Sequence, residues 1–477
     1  MLSCNLNTKT NQAVLDTLDF EANLNFNEFP PTSTEKWEAV IEQDLKGKNY
    51  KKVLSWNPEN ELEVLPFYRS EHLRELSHFP KPVRASGNWI IFQPVLVKDI
   101  ESANQTALNA LQNGASGLFF YGEPDAISSA SDVEQLFKDI QIDIISVKFG
   151  SEFSGKTLVE GLDALIDSRN LNQNDLEISV TRDPFLQAIF SGKLSSKDAI
   201  EKSLKALPFS LNIDLSGYAN AGADIIQQSA FALAAGNEIL GLLDKNTSLS
   251  FNFAMSNSYF PEIAKLRAFR LMWNQILGSY GSDGSDFLVH AETALWNKTQ
   301  NDAHTNMLRA TTEAMSAVLG EADSLTVFPY DQHFDEPSEF SSRISRNVQL
   351  ILQEEAYFDK VADPGAGSYY IETLTEKIAE ESWKLFQKIE QKGGFYECLK
   401  SGFIQDEIHK SRKQKIKAYK EKEKTLVGVN KYQPDDLIQN LEFKIQNYSS
   451  AEQNGNDFEI ETIEPLNMEV ELQKGDA

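Results

Sequence analysis

The chain has 477 residues and carries 45 Lys and Arg against 71 Asp and Glu, a formal net charge of −26. With 41% hydrophobic and 10% aromatic residues it has enough apolar content for large packed cores, which excludes a wholly disordered chain. The acidity argues against nucleic acid and anionic membranes, whose phosphates require clustered Lys and Arg.

The length corresponds to roughly three domain-equivalents, or to one barrel-sized domain with appendages. Two cysteines, Cys4 and Cys398, are too few for a disulfide framework, and no Cys/His cluster has zinc spacing. The N-terminus has no apolar signal core, and the first arginine is Arg69. No run approaches 18 apolar residues, so no membrane-spanning helix is expected. The expected compartment is a reducing cytoplasm.

Residues 1–85 read as an N-terminal arm. It contains a helical pattern from Ser33 to Leu45, capped by Ser33 or by Thr32 or Thr34 beside it. The stretch LSWNPENELEVLPFYR then alternates like a strand but has no obvious hairpin partner, so the region reads as an arm lying on another element. From Trp89 short apolar runs recur: WIIFQPV (89–95), GLFFYG (117–122), DIISVKFG (143–150), LEISV (176–180), SLNIDLSGY (210–218), SLSFNFAM (248–255), DFLVHAET (286–293) and SLTVFPY (324–330). Each of the first seven precedes a segment of helical periodicity. Eight such units within 86–335 predict a parallel sheet covered on both faces, at the size of an α/β (β/α)8 TIM barrel; a doubly wound open sheet is the structural alternative. Residues 336–433 read as a helical region, ending in a basic helix whose Lys410–Lys424 portion holds eight Lys/Arg and two Glu. That stretch lacks interleaved aromatics other than Tyr419, so a solvated helix face is expected rather than a nucleic-acid surface. Residues 434–477 form an acidic tail of net charge −9, with a short strand expected at FEIETI.

Barrel chemistry collects where strand C-termini meet their loops. The polar residues expected there are Lys148, Arg182 with Asp183, Asn212, Tyr218 with Asn220, His290 with Glu292, and Asp331 with Gln332 and His333. Each is more ordinarily a solvated or internally paired loop residue. His290 beside Glu292 has the makings of a general acid–base pair, although such a histidine is more often a satisfied core residue. Asp331-Gln332-His333 and Asp302-Ala303-His304 begin like the D-x-H-x-x-G motif that gives a histidine to cobalt. The glycine position holds Glu336 in one and Met307 in the other, so both read as chance. There is no P-loop, no GxGxxG after a strand, no GxSxG and no HExxH.

Longer motifs carry a specific signal. SYFPEIAKLRAFRLMW (258–273), the stretch from Trp296 to Gly394 with its ADPGAGSYY, and TLVGVNKY (425–432) resemble the methylmalonyl-CoA mutase family in order and spacing. The resemblance runs from about Phe29 to Tyr432. It implies a (β/α)8 substrate barrel holding a CoA ester along its axis. It also implies adenosylcobalamin chemistry interconverting methylmalonyl-CoA and succinyl-CoA, with the cobalamin on a separate C-terminal α/β domain. Three departures matter. Catalytic chains read S-G-Y-H-M-Q-E-A-G-A after the fifth strand; here Tyr218 remains, Ala219 stands at the histidine position, and the loop is two residues shorter. Alanine has no donor for a thioester carbonyl, and such a loss costs about 10²–10⁴-fold in rate. At strand eight T-Q-S-L-H-T-N is replaced by Ala322-Asp323-Ser324-Leu325-Thr326-Val327-Phe328. The tyrosine-bearing R-x-Y-A-G segment is replaced by FPKPVRASGNW.

These losses are similar to those of the small (beta) subunit of the heterodimeric bacterial enzyme. The resemblance therefore implies a chain with no catalytic residues of its own, with Tyr218, Ala219 and Asp323 as degenerate positions. It would bind neither cobalamin nor metal. It would support assembly of a large (alpha) subunit that carries the adenosylcobalamin, touching that subunit through its arm and helical region. The 44 residues after Gln433 fall short of the roughly 100 a cobalamin domain needs. Two rivals remain: the substrate-domain chain of an acyl-CoA mutase using a separate cobalamin-binding polypeptide, and a binding protein that retains an acyl-CoA site without chemistry.

Overall fold

The computed structural model describes residues 32–58, 62–74, 87–153, 155–206, 209–243, 248–281, 287–438, 441, 443 and 457–474. The replaced FPKPVR segment and the two residues after it lie outside them. Residues up to Trp56 belong to one compact unit and those from Asn57 to another. In the first, the expected helix runs Thr34–Asp44, with the Ser33 side chain accepting the Lys36 N–H. A second, short helix, Tyr50–Leu54, is capped by Asn49. The Tyr50 N–H donates to Glu42 (3.2 Å), and its ring meets Trp37 edge-on.

The alternating stretch LSWNPENELEVLPFYR joins no sheet among its described residues. Leu54 ends a helix, and Pro58 and Pro66 remove ladder donors. In the second unit Leu62, Val64 and Tyr68 bury their side chains in the helix-layer core instead, Tyr68 against Tyr370.

All eight expected strands form and close a parallel barrel. They are β1 Ile90–Val97, β2 Gly117–Gly122, β3 Ser146–Phe149, β4 Glu177–Thr181, β5 Ser210–Asp214, β6 Leu249–Met255, β7 Phe287–Thr293 and β8 Ser324–Thr326. Closure pairs Ile90 with Ser324 and Phe92 with Thr326. Three runs are shorter than expected, and DIISVKFG keeps only Ser146–Phe149 in the sheet. SLNIDLSGY leaves the sheet at Asp214 because its carboxylate accepts both the N–H (2.9 Å) and the hydroxyl (2.6 Å) of Ser216, starting the helix Ser216–Ala221. SLTVFPY stops at Thr326.

Side chains alternate along each strand. Val147 and Phe149, Leu211 and Ile213, and Phe251 and Phe253 pack under the helices. Their neighbours of the other parity face the lumen. The helix after β8, Glu339–Leu350, seals the seam against β1: Arg346 bonds Gln93 (2.8 Å) and Gln349 accepts the Trp89 indole N–H (3.3 Å). Beyond it lie the helices Tyr369–Gln391, Phe395–Lys400 and Phe403–Lys420. No described helix is long and apolar enough to cross a membrane.

The basic helix is not simply solvated. Ser411 and Lys415 are buried, and Lys415 lies over the Trp296 ring at 4.5 Å. The acidic segment reaches it where Arg412 donates to Glu471 (3.3 Å); Phe458–Glu459 within FEIETI pairs antiparallel with Lys193–Leu194, and Leu466 and Met468 are buried.

Candidate functional site

A packed TIM barrel ordinarily fills its interior with bulky branched side chains. Here the lumen-facing positions are mostly polar: Ser146 and Lys148, Ser179 and Thr181, Asn212 and Asp214, Ser250 and Asn252, His290 and Glu292, Ser324 and Thr326. Three aromatic rings, Phe92, Phe119 and Phe328, cluster among them.

At the C-terminal end these groups form one network. The Asn252 amide donates to Asp214 (2.9 Å) and to Glu292 (2.8 Å). The Lys148 ammonium lies over the Phe119 ring at 4.8 Å, with no hydrogen-bond partner among the described residues. Burial lowers its pKa, against the opposing pull of Glu292 and Asp214. Burial, and then the Asp214 charge, raise Glu292 to about 7. Burial also raises Glu152 to about 7, although its carboxylate accepts the Gly122 N–H (2.6 Å). The cavity these residues enclose is about 20 Å³, room for about one water. A larger cleft of about 210 Å³ lies on the outer helices. Two of its lysines, Lys384 and Lys388, already pair with Glu381 and Glu407, so it gathers no uncompensated charge.

A carboxyl held at about 7 in the fold and near 4.5 unfolded binds more protons when folded. Its stability contribution is therefore greatest below the unfolded value and is lost as pH rises from 4.5 to 7. Glu292→Gln keeps the Asn252 bond and removes the buried charge. The variant is expected to gain roughly 1–3 kcal/mol over the parent at pH 8 and nothing near pH 4.5. Paired urea titrations at the two pH values check this; an equal difference at both would refute it.

His290 and Glu292 face the same lumen but are not brought together as an acid–base pair. His290 is satisfied by the Ser324 (2.7 Å) and Thr326 (3.0 Å) hydroxyls, and burial holds its pKa well below the usual range. Asn212 bonds the Ser250 hydroxyl (2.8 Å). Arg182 stands half-buried at the rim, while Asp183 caps the helix Pro184–Ser191 through the Phe185 and Leu186 N–H groups, each at 3.0 Å. Sequence reasoning misses Asp214, Asn252 and Glu152. Their position at the end of a strand run is the available signal.

The degenerate positions lie outside the lumen network. Tyr218 points into the helix-layer core, its ring against Phe231 and Phe395. Ala219 is buried with Trp296, Tyr419, Leu426, Leu466 and Met468. Asn220 accepts the Leu295 N–H with its side chain (2.9 Å) and the Leu466 N–H with its carbonyl (2.6 Å). Asp323 lies just before β8, at the opposite end of the barrel, where it accepts the Val289 N–H and the Arg270 guanidinium, both at 2.7 Å.

Neither D-x-H histidine is followed by the motif's glycine, whose position holds Met307 after His304 and Glu336 after His333. His304 leads into the helix Thr305–Leu319 and packs on Tyr330. His333 is buried against Phe334 and Phe443, its pKa lowered to about 3 by burial, with no open face beside it. No metal-competent cluster occurs among the described residues.

The methylmalonyl-CoA mutase family model matches residues 123–464. The methylmalonyl-CoA mutase small subunit of Porphyromonas gingivalis is 36% identical over 85% of this chain and 71% of its own length. The methylmalonyl-CoA mutase of Rhizobium meliloti is 32% identical over 84% of this chain, and the match spans only 65% of that protein. The Streptomyces virginiae small subunit is 28% identical over 85% of this chain and 71% of its own length. With its closed barrel and a family match over well more than half its length, the chain belongs to the methylmalonyl-CoA mutase family.

Proposed function

We propose that this chain is the non-catalytic small subunit of a methylmalonyl-CoA mutase. In this reading it supports assembly and stability of a large subunit that carries adenosylcobalamin and interconverts methylmalonyl-CoA and succinyl-CoA. One observation carries the proposal: the pocket among Phe119, Lys148, Asp214 and Glu292 at the strand ends holds only about 20 Å³, too small for an acyl-CoA chain. Ala219 adds to it, because it offers no donor at the family's histidine position and is packed over by apolar side chains. The relatives named small subunit support a larger partner chain. Neither D-x-H stretch keeps the motif's glycine, so in this reading the cobalamin sits on the large subunit and no catalytic step is assigned to this chain. A permanent hetero-complex buries over about 2,000 Å², and that surface is what a folded, inactive barrel supplies.

The test is co-expression with a large-subunit candidate. The purified chain alone, given adenosylcobalamin and methylmalonyl-CoA, is expected to show no turnover, while its presence raises the yield of soluble, active large chain. Turnover by the isolated chain would overturn the non-catalytic assignment. A large chain equally stable and active without it would overturn the assembly role.

A further inference from the structure

We infer that residues 457–474 form a charge-held lid over the barrel mouth at Ala219, able to open while the barrel stays folded. The segment runs along the barrel wall. It is fixed at one end by the Phe458–Glu459 pairing to Lys193–Leu194 and at the other by the mouth loops. There the Leu466 N–H donates to the Asn220 carbonyl (2.6 Å) and the Met468 N–H to the Trp296 carbonyl (3.0 Å). The Glu469 carboxylate accepts the Gln300 (2.6 Å) and Asn301 (3.2 Å) N–H groups.

Charge complementarity holds the segment down. It carries six carboxylates and one lysine, net −5. The helix Phe403–Lys420 beneath it carries six Lys/Arg and two acids, net +4. Arg412 of that helix donates to the Glu464 carbonyl and reaches Glu471 (3.3 Å), and Gln405 donates to the Glu461 carbonyl (3.1 Å). The apolar anchorage is confined to three buried side chains, Ile463, Leu466 and Met468. An element held by one partly exposed ion pair, a few hydrogen bonds and three apolar side chains opens at a lower free energy than the core, and salt weakens the charged part of that hold. The family match ends at residue 464, so Leu466, Met468 and Glu469 lie beyond it. The lid follows from these contacts whether or not the chain has activity of its own.

Ala219→Cys in the full chain reports the lid directly, with the modified residue located by mass spectrometry of its peptide. Labelling by a neutral thiol reagent is expected to be slow at low salt and several-fold faster at about 0.5 M NaCl, where the screening length is only a few Å. Adding Leu466→Asp and Met468→Asp is expected to raise the rate at least about tenfold and to remove most of the salt dependence, because the opening step no longer limits access. In the unsubstituted chain, the Leu466, Met468, Gln300 and Asn301 amides should exchange as a group well before those of Phe251 and Val289. Three results would overturn the lid: equal labelling with and without the aspartates, lid amides that exchange only with the barrel core, or aspartate variants in which the barrel itself unfolds.

Discussion

Arg267→Ala is expected to lower stability by about 3–5 kcal/mol, several times what breaking an exposed ion pair costs. Arg267 is fully buried in the helix Tyr259–Tyr280. Its Nε and Nη2 donate to the two Asp363 carboxylate oxygens, both at 2.9 Å, and its Nη2 and Nη1 to the two Glu372 oxygens at 2.9 and 3.2 Å. Thr375 accepts a further bond from Nη1 (3.1 Å). A buried ion group is weak evidence of net stability, but removing one partner strands the others. Here alanine leaves two carboxylates in a site that excludes water, together with a cavity. Arg267→Lys should recover only part of the loss, since an ammonium cannot serve two carboxylates in fork geometry. Urea unfolding monitored by circular dichroism measures both variants. A loss below about 1 kcal/mol for alanine would show that the network is neutral.

The same network explains part of what the sequence revealed. Arg267 belongs to SYFPEIAKLRAFRLMW and Asp363 to ADPGAGSYY, two of the motifs that carry the family resemblance. In the fold they form one salt-bridged joint, tying a barrel helix to the turn before Tyr369–Gln391. The barrel was legible because its strands are near-continuous apolar runs separated by helical periodicity, a local signal. The mouth was much less so. The Asp214–Asn252–Glu292 network draws on three strands, and no spacing along the chain announces that they meet. The acidic tail was legible only in part, for a related reason. FEIETI announces the short strand it forms, but a net charge of −9 does not announce the partly buried basic helix that receives the rest. The stretch at 54–69 was more legible, since alternation without a hairpin partner suits a segment lying on other elements, and Leu62, Val64 and Tyr68 do pack that way.

Restoring the missing histidine tests whether chemistry is absent for want of one side chain or for want of space. Ala219→His is expected to yield no turnover and to destabilise the chain by about 2–6 kcal/mol. Ala219 is 2% exposed and touches the cluster of Trp296, Tyr419, Leu426, Leu466 and Met468. An imidazole there overpacks the cluster, at about 1–3 kcal/mol. It also brings ring nitrogens into an apolar setting, at about a further 1–3 kcal/mol when they are unsatisfied. The relief available is local: the lid lifts and Leu466 and Met468 lose their amide protection. Lifting the lid does not empty the lumen, because Phe92, Phe119, Phe328 and the Lys148–Asp214–Glu292 group occupy it independently of residue 219. Two readouts separate the causes. Succinyl-CoA formation by the isolated variant with added adenosylcobalamin would show that the side chain alone was lacking. A fall in melting temperature with no product, together with faster exchange at Leu466 and Met468, is the result that a filled barrel requires.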